Sequence, residues 1–267
     1  MCPPDHFQVI YTINPWMSGN EYQLNLDKVK KQWNKLKSCI GQFAELETMQ
    51  PVKGVPDLIF TANAGVVYKN RAIVSTFMNT ERKAEEPYYD AAFCDLGFEI
   101  HHLPEGVIFE GAGDCLLDRG GDWVWAAFGV RSELEAHKAL EKFFEREVVS
   151  LKLIDERFYH LDTCMCPLSD GYLMYYPPAF DYVSLLAIES RVPPEKRIVV
   201  DTTDAGHFSC NAVNIGKHII MNKTSSHLRN KLTGHGFTVH EVNLSEFLRA
   251  GGSAKCLTLK LNEPENG

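Results

Sequence analysis

The chain has 267 residues, of which 45% are hydrophobic and 23% are charged, and its formal net charge is -8 at pH 7. These values are typical of a globular protein that is long enough to bury a sizeable core in one large domain or two small ones. The acidic balance argues against a nucleic acid partner or an anionic membrane, and no apolar run approaches the roughly 20 residues of a membrane span.

The N-terminal part of the chain predicts one strand, residues 8–13, and one long helix, residues 26–46. Asn14 follows the strand, in the segment 13–17 (INPWM). Residues 1–5 have neither the charged nor the apolar region of a signal peptide. The eight cysteines contain no CxxC pair and no small disulfide framework. We therefore expect reduced thiols and a cytoplasmic protein.

Five stretches of similar pattern recur along the chain, each with a polar or small residue next to a short apolar strand. They cover residues 58–68, 107–117, 158–168, 207–215 and 250–259. The residues that mark successive copies are 48, 51, 49 and 45 positions apart, and they are Asn63, Gly111, Asp162, Asn211 and Cys256. Near-constant spacing of this size is typical of a repeat architecture.

Each of the first four copies continues with the same elements. A second strand is predicted at 72–76, 123–127, 172–176 and 218–221, and a helix at 80–96, 132–147, 180–190 and 224–234. A third strand is predicted at 98–103, 148–153, 197–202 and 237–242. Ser132 is placed to cap the second of these helices. The repeat unit is therefore ββαβ, and the N-terminal strand is expected to join the fifth copy.

This order of elements predicts a single α/β domain over residues 1–267, a five-bladed ββαβ propeller whose copies close into a pseudo-fivefold ring. Stacked copies bury a common core, and a closed ring leaves no strand edge exposed. A doubly wound sheet is the alternative. The presence of two strands before each helix argues against it.

In a closed ring the equivalent strand ends point at the axis, so several polar residues are expected to share one central pocket: Glu110, His160, Asp162, Cys256, and Asn63 or Asn211. A cysteine thiol needs a histidine or a positive environment to become a nucleophile, and His160 would supply it and later carry protons. Two carboxylates suit a planar guanidinium. Taken alone, Cys256 is more simply interpreted as a buried structural cysteine.

Four motifs together resemble those of the guanidine-modifying, or amidinotransferase, superfamily: residues 60–65 (FTANAG), 109–114 (FEGAGD), 160–162 (HLD) and 251–256 (GGSAKC). They occur in order over essentially the whole chain. The resemblance implies a five-bladed propeller with a cysteine, histidine and carboxylate site. It also implies that Cys256 attacks the guanidino carbon, His160 is the acid and base, Glu110 grips the guanidinium, and Asp162 orients His160 or binds substrate.

Within this superfamily the chain is similar to the arginine dihydrolases, which convert arginine to ornithine, carbon dioxide and two ammonia. Most members carry an aspartate where this chain has Asn63, whereas the TANAG motif and the INPWM segment with Asn14 are similar to that group. The resemblance also implies that arginines hold the substrate carboxylate, at positions matched by Arg82 and Arg131. The chain is short for an arginine deiminase, and its size fits a dimethylarginine dimethylaminohydrolase better than its motifs do.

We therefore expect a hydrolase that acts on the guanidino group of arginine without a metal or an organic cofactor, with a small guanidino molecule as its partner. Arginine deiminase, dimethylarginine dimethylaminohydrolase-like and amidinotransferase activities remain alternatives, as does a catalytically silent propeller that senses a ligand. A zinc site formed by Cys164 and Cys166 with His160, Asp162 or His207 is a further alternative. The sequence does not indicate an oligomeric state.

Overall fold

The structure is a computed structural model that describes residues 1–262. Within these residues the strands form four sheets of three strands each. The first two sheets contain β1 (Gly65–Tyr68), β2 (Arg71–Val74), β3 (Glu99–His101), β4 (Cys115–Leu117), β5 (Trp123–Phe128) and β6 (Glu147–Lys152). The other two contain β7 (Met165–Leu168), β8 (Tyr172–Tyr175), β9 (Arg197–Val199), β10 (Val213–Ile215), β11 (His218–Met221) and β12 (Thr238–Glu241).

All four sheets have the same internal order, which confirms the predicted ββαβ unit. The first and second strands pair antiparallel, as where Tyr68 lies opposite Arg71, and the second and third strands pair parallel, as where Arg71 lies opposite Glu99. A helix makes each parallel crossover. The second strand is central and covered on both faces, so residues 124–127 are at most 1% exposed.

The helices of the described chain are α1 (Leu26–Ile40), α2 (Thr80–Lys83), α3 (Glu86–Asp95), α4 (His137–Phe144), α5 (Leu161–Cys164), α6 (Tyr182–Arg191), α7 (Thr202–Gly206), α8 (Ser226–Gly234) and α9 (Ser245–Leu248). The predicted helix 80–96 is divided into α2 and α3. Pro87 lies in the first turn of α3, and a proline there has no N–H with which to continue an earlier helix. The predicted helix 132–147 is shorter than expected, since α4 begins at His137 and ends at Phe144. The Ser132 hydroxyl donates to Asp114 Oδ2 at 2.6 Å and does not cap α4.

Five hydrogen bonds between the marker regions connect each copy to the next and close the ring. The donors and acceptors are Asn63 Nδ2 to Glu110 O (3.1 Å), Leu161 N to Asp114 Oδ1 (3.0 Å), Asn211 Nδ2 to Asp162 O (3.0 Å), Cys256 N to Asn211 Oδ1 (3.1 Å) and Ala62 N to Cys256 O (3.1 Å). The last bond joins the fifth copy to the first. The α/β propeller-like fold is therefore confirmed.

The fifth copy is less regular than the other four, and the two strands predicted for it are wrong. Residues 8–13 form no strand, since their backbone bonds locally, as where Tyr22 N donates to Val9 O at 2.9 Å. Cys256 lies in a turn, in which Leu257 N donates to Ser253 O at 3.2 Å. The copy is held instead by one hydrophobic cluster shared with α1 and α9, which includes Phe7, Val29, Trp33, Leu36, Phe247 and Leu257.

Candidate active site

The turns that precede the first strands bring the predicted polar residues together where the copies meet. All of them are at most 3% exposed, and they are Asn63, Glu110, His160, Asp162, Asn211 and Cys256. Buried polar groups require partners, so the contacts of these side chains define the site.

Glu110 is the centre of one half of the site. Its Oε2 accepts hydrogen bonds from His160 Nε2 at 2.7 Å and from Arg131 Nη1 at 2.9 Å, and its Oε1 accepts one from Met78 N at 3.2 Å. Burial raises the pKa of this carboxyl, but Arg131 and His160 outweigh burial and lower the pKa to about 2. Glu110 is therefore an ionised partner that orients the His160 ring.

The second ring nitrogen of His160, Nδ1, is buried and has no hydrogen-bond partner within residues 1–262. The ring lies against Gly113, where a Cβ would be 3.3 Å from Nδ1 and 2.3 Å from Asn63 Nδ2. Glycine is thus required for Asn63 and His160 to lie side by side. Because Glu110 holds Nε2, Nδ1 is the atom that can exchange a proton with a ligand.

Cys256 and Asp162 form the other half of the site. The Cys256 Sγ lies 3.7 and 3.8 Å from the two carboxylate oxygens of Asp162 and accepts a hydrogen bond from Asn211 Nδ2 at 3.0 Å. Burial, and then the Asp162 carboxylate, raise the pKa of the Cys256 thiol. Burial also raises the pKa of Asp162, to about 7. A cation placed beside Asp162 would lower both pKa values.

The contacts of the two carboxylates can be compared with the roles that the resemblance implied for them. Glu110, expected to grip a guanidinium, is paired with His160. No hydrogen bond joins Asp162 to His160 in the described part of the chain, so the alternative in which Asp162 orients His160 has no contact to support it. Asp162 lies beside the sulfur of Cys256 instead.

Arg82 and Asn63 are in contact. Arg82 Nη1 donates to Asn63 Oδ1 at 2.9 Å, and Asn63 Nδ2 donates to Glu110 O at 3.1 Å. The other edge of the Arg82 guanidinium is occupied, because Nε and Nη2 donate to the two carboxylate oxygens of Glu85 at 2.9 and 2.7 Å. Arg82 thus reaches the site through Asn63.

Arg131 is also buried and occupied on both sides. Its Nη1 donates to Glu110, its Nη2 donates to Ile13 O at 2.8 Å, and its guanidinium lies over the Tyr159 ring at 4.8 Å. The Tyr159 hydroxyl donates to Gly251 O at 2.7 Å. Arg131 therefore links the N-terminal segment to the His160 side of the site.

Asn14 lies beside the Cys256 turn. Its Nδ2 donates to Ala250 O at 3.1 Å, and its Oδ1 accepts a hydrogen bond from Trp16 N at 3.0 Å. Gly251 has φ +79, and a Cβ there would lie 2.8 Å from Asn14 Oδ1 and 2.9 Å from the Tyr159 hydroxyl. The glycine before Cys256 is therefore required both for its backbone conformation and for this close approach.

Asp57 is a buried carboxylate that the sequence analysis did not single out. Its Oδ2 accepts a hydrogen bond from the Tyr11 hydroxyl at 2.9 Å, and its Oδ1 has no partner in residues 1–262. Burial raises the pKa of Asp57, while the nearby charges of Arg82 and Arg131 oppose that effect. The one sequence feature that could have identified Asp57 as a site residue is its position directly before the apolar residues 58–60. An aspartate in such a position is ordinarily part of a solvated turn, so this feature alone does not indicate a site.

Asp114 belongs to the FEGAGD motif but is not among the predicted site residues. Its Oδ2 accepts a hydrogen bond from Ser132 Oγ at 2.6 Å, and its Oδ1 accepts one from Leu161 N at 3.0 Å. Burial raises the pKa of Asp114 to about 6. Ser132 Oγ also accepts from Glu110 N at 2.9 Å, so the prediction that Ser132 caps a helix is wrong and its hydroxyl supports the site.

Cys164 and Cys166, the two cysteines of the alternative zinc site, form hydrogen bonds to backbone carbonyl groups. Cys164 Sγ donates to Leu161 O at 3.5 Å, and Cys166 Sγ donates to Ala212 O at 3.4 Å. In residues 1–262 no group of three or more histidine, cysteine, aspartate or glutamate side chains is arranged to hold a metal ion. The eight cysteines all lie within residues 1–262, and none of them forms a disulfide there.

A ring of ββαβ copies around buried cysteine, histidine and carboxylate side chains is the architecture of the guanidine-modifying enzyme superfamily, and the predicted superfamily is confirmed by the comparisons. The sequence profile of the family described as N,N dimethylarginine dimethylhydrolase, eukaryotic, matches residues 28–262, and the chain belongs to that family.

Two curated relatives and one solved structure show where the similarity lies. The chain is 54% identical over 264 residues to the bifunctional arginine dihydrolase/ornithine cyclodeaminase ArgZ of Synechocystis sp., covering 99% of this chain and 37% of ArgZ. It is 34% identical over 263 residues to the N(G),N(G)-dimethylarginine dimethylaminohydrolase of Mycobacterium tuberculosis, covering 98% and 85% of the two chains. The N-terminal domain of an ArgZ mutant, bound to substrate, has a TM-score of 0.98 at 54% identity, covering 99% and 97%.

The chain therefore spans little more than a third of the length of ArgZ and nearly all of its N-terminal domain. Within residues 1–262, no helix combines the length and the apolar character that crossing a membrane demands.

Proposed function

We propose that this protein hydrolyses the guanidino group of free arginine twice, giving ornithine, carbon dioxide and two ammonia. The observation that supports this proposal most directly is the hydrogen bonding of the Asn63 side chain. After its bonds to Glu110 and Arg82, the Asn63 amide retains one N–H and one oxygen lone pair, beside His160. Structures of the N-terminal domain of ArgZ, an arginine dihydrolase, hold substrate, a covalently bound reaction intermediate and product.

The first hydrolysis begins with the guanidinium beside Asp162 and Asn63, where its charge favours the thiolate of Cys256. His160 takes the thiol proton, and the sulfur forms a bond to the guanidino carbon. A carbon–nitrogen bond then breaks as His160 returns the proton to the leaving nitrogen, which departs as ammonia. His160 next takes a proton from water, whose oxygen attacks the carbon and displaces the sulfur, leaving citrulline.

The second hydrolysis requires that the neutral urea of citrulline stays in the same place. The Asn63 amide can accept from an N–H of the guanidinium and later donate to the urea oxygen. Cys256 then attacks again, and the amine of ornithine leaves with a proton. Water releases the carbamoyl group from the sulfur as carbamate, which decays to carbon dioxide and the second ammonia.

The proposal also assigns partners to the carboxylate and the ammonium group on the α-carbon of arginine. We propose that Arg131 and Arg82 attract the substrate carboxylate and that the unpartnered Oδ1 of Asp57 accepts from the α-ammonium group. Asn14 would close the same end of the pocket from the N-terminal segment. The five copies act as one domain in this proposal, because each supplies a link of the ring.

A single hydrolysis of a methylated arginine is the second candidate, favoured by the description of the matching family and by the Mycobacterium tuberculosis relative. The experiment is incubation with arginine, citrulline, agmatine and methylated arginines, with quantification of every product. Two ammonia and one ornithine per arginine are expected, without an added amine acceptor. Citrulline as the sole stable product from arginine would leave a deiminase. Turnover of methylated arginine alone would leave the second candidate, and a requirement for an amine acceptor would indicate an amidinotransferase.

A further inference from the structure

Glu85 is a fully buried carboxylate that the mechanism above does not use. It is 0% exposed and lies between α2 and α3, on the side of Arg82 that faces away from Asn63. Its two oxygens accept hydrogen bonds from Arg82 Nε at 2.9 Å and Arg82 Nη2 at 2.7 Å, and Oε2 also accepts one from the Tyr89 hydroxyl at 3.2 Å. A paired contact of this kind fixes the plane of a guanidinium as well as its position.

The Arg82 plane is held on three sides. Its face lies over the Phe77 ring at 4.3 Å, and Nη2 also donates to Asp57 O at 3.3 Å. With Nε and Nη2 fixed by Glu85, Nη1 is left to donate to Asn63 Oδ1 at 2.9 Å. Glu85, Arg82 and Asn63 therefore form one continuous chain of buried hydrogen bonds from α3 to the site.

This chain determines which way the Asn63 amide faces. A guanidinium only donates, so the group that faces Arg82 must be the oxygen, and the NH2 group must then face Glu110 O, 3.1 Å away. An amide without such a fixed donor can rotate by half a turn. The rotated amide would set its NH2 group against Arg82 and its oxygen against Glu110 O, with both hydrogen bonds lost.

We propose that Glu85 is a positioning residue that, through Arg82, holds the amide of Asn63 in the orientation that retains citrulline for the second hydrolysis. The proposal rests on the proposed function, in which the remaining N–H of Asn63 donates to the urea oxygen. With Arg82 loosened, Cys256 could still attack bound arginine, but citrulline would be released before the second attack. The partition between citrulline and ornithine is therefore the property that Glu85 controls.

The test compares Glu85→Asp, which keeps the charge but shortens the side chain, with Glu85→Gln, which replaces one acceptor by a donor. Glu81→Gln is the matched control, since Glu81 is an exposed acid in α2. The measured quantity is the citrulline-to-ornithine ratio released from arginine at low conversion. This ratio does not depend on how much of the protein is folded. Both Glu85 variants should raise it at least about threefold, and Glu81→Gln should leave it at the wild-type value.

An unchanged ratio in Glu85→Asp and Glu85→Gln, whatever their total activity, would overturn the positioning role. If neither variant folds, Tyr89→Phe removes one hydrogen bond from Glu85 Oε2 and should raise the ratio by a smaller factor, and no rise would again overturn it. The wild-type protein is measured first. If it releases only citrulline, the proposed double hydrolysis fails. If it releases ornithine and the variants match it, the role of Glu85 alone fails.

Discussion

Replacement of Asn63 by aspartate tests whether the amide decides between one hydrolysis and two. The new carboxylate keeps an acceptor for Arg82 Nη1, now as a charged pair. Its second oxygen would lie where Nδ2 now donates to Glu110 O at 3.1 Å, so one buried hydrogen bond becomes a contact between two acceptors. The gain and the loss oppose each other, and we expect the protein to remain folded at a cost of about 1–3 kcal/mol.

The effect on the reaction is larger than the effect on the fold. An aspartate still attracts the guanidinium, so the first ammonia should be released at a substantial rate. It offers no donor to the urea oxygen of citrulline, and an unmet hydrogen bond at a buried site costs about 1–3 kcal/mol. Release of citrulline should therefore be favoured by roughly 5- to 150-fold over the wild type.

Separation of citrulline and ornithine after incubation with arginine, together with an ammonia count, measures this partition. Asn230→Asp adds the same charge on the exposed face of α8 and serves as the control. The reasoning would be refuted if Asn63→Asp still gave two ammonia per arginine with no citrulline. Asn63 would then serve the ring closure alone.

Three further predictions concern the other side chains of the site. Cys256→Ser should abolish turnover, because a serine hydroxyl lacks the thiolate fraction that the attack requires. In the wild-type protein, arginine should slow the alkylation of Cys256 by iodoacetamide, as measured by peptide mass spectrometry. Turnover at the wild-type rate in Cys256→Ser would rule out the covalent mechanism. Arg131→Ala and Arg82→Ala should raise the KM of arginine roughly 10- to 150-fold more than that of agmatine, which has no carboxylate, because each removes a charge-assisted contact of about 1.5–3 kcal/mol. An equal rise for both substrates would show that the two arginines do not hold the carboxylate. The pKa of Glu110 is lowered from its ordinary value of 4.5 to about 2, so the ionised Glu110 carboxylate stabilises the folded state above pH 4.5. This contribution of about 3 kcal/mol is lost as the pH falls towards 2. Urea unfolding between pH 6 and pH 3 should therefore show a shallower loss of stability in Glu110→Gln, and parallel curves for the two proteins would contradict the pairing.

The fold could be predicted from the sequence because two independent patterns, the spacing of the marker residues and the apolar runs, indicate the same repeat. The spacing of the marker residues gives the length of a copy, and the apolar runs around Val66, Trp125 and Ile219 give its strands. The position of the fifth copy could be predicted but its local structure could not, since its backbone pairs locally and with neighbouring copies rather than in a sheet of its own. Residues 8–13 have the composition of a strand without a partner strand.

The sequence could also predict that these polar side chains lie close together, but it could not predict how they pair. Equivalent positions in successive copies place Glu110, His160, Asp162 and Cys256 together whatever their partners are. Which carboxylate meets His160 depends on how the second and third copies pack, and no sequence spacing encodes that. Ser132 shows the same limit, because a serine before a helix has the same pattern whether it caps the helix or bonds to a buried aspartate.

The hydrogen bond from Ala62 N to Cys256 O has a consequence for the synthesis of the protein. A ribosome delivers the copies in order, so the first four emerge while the fifth is still being translated. Until Cys256 emerges, the ring is open, and the nucleophile cannot meet His160. A nascent or prematurely terminated chain therefore lacks an assembled site. It also exposes the apolar side chains of α1, among them Val29, Trp33 and Leu36, that pack against Phe247 and Leu257 in the complete fold. Contacts between residues far apart in sequence, such as Ala62 and Cys256, also form slowly, so the last event of folding is expected to be the one that completes the candidate site.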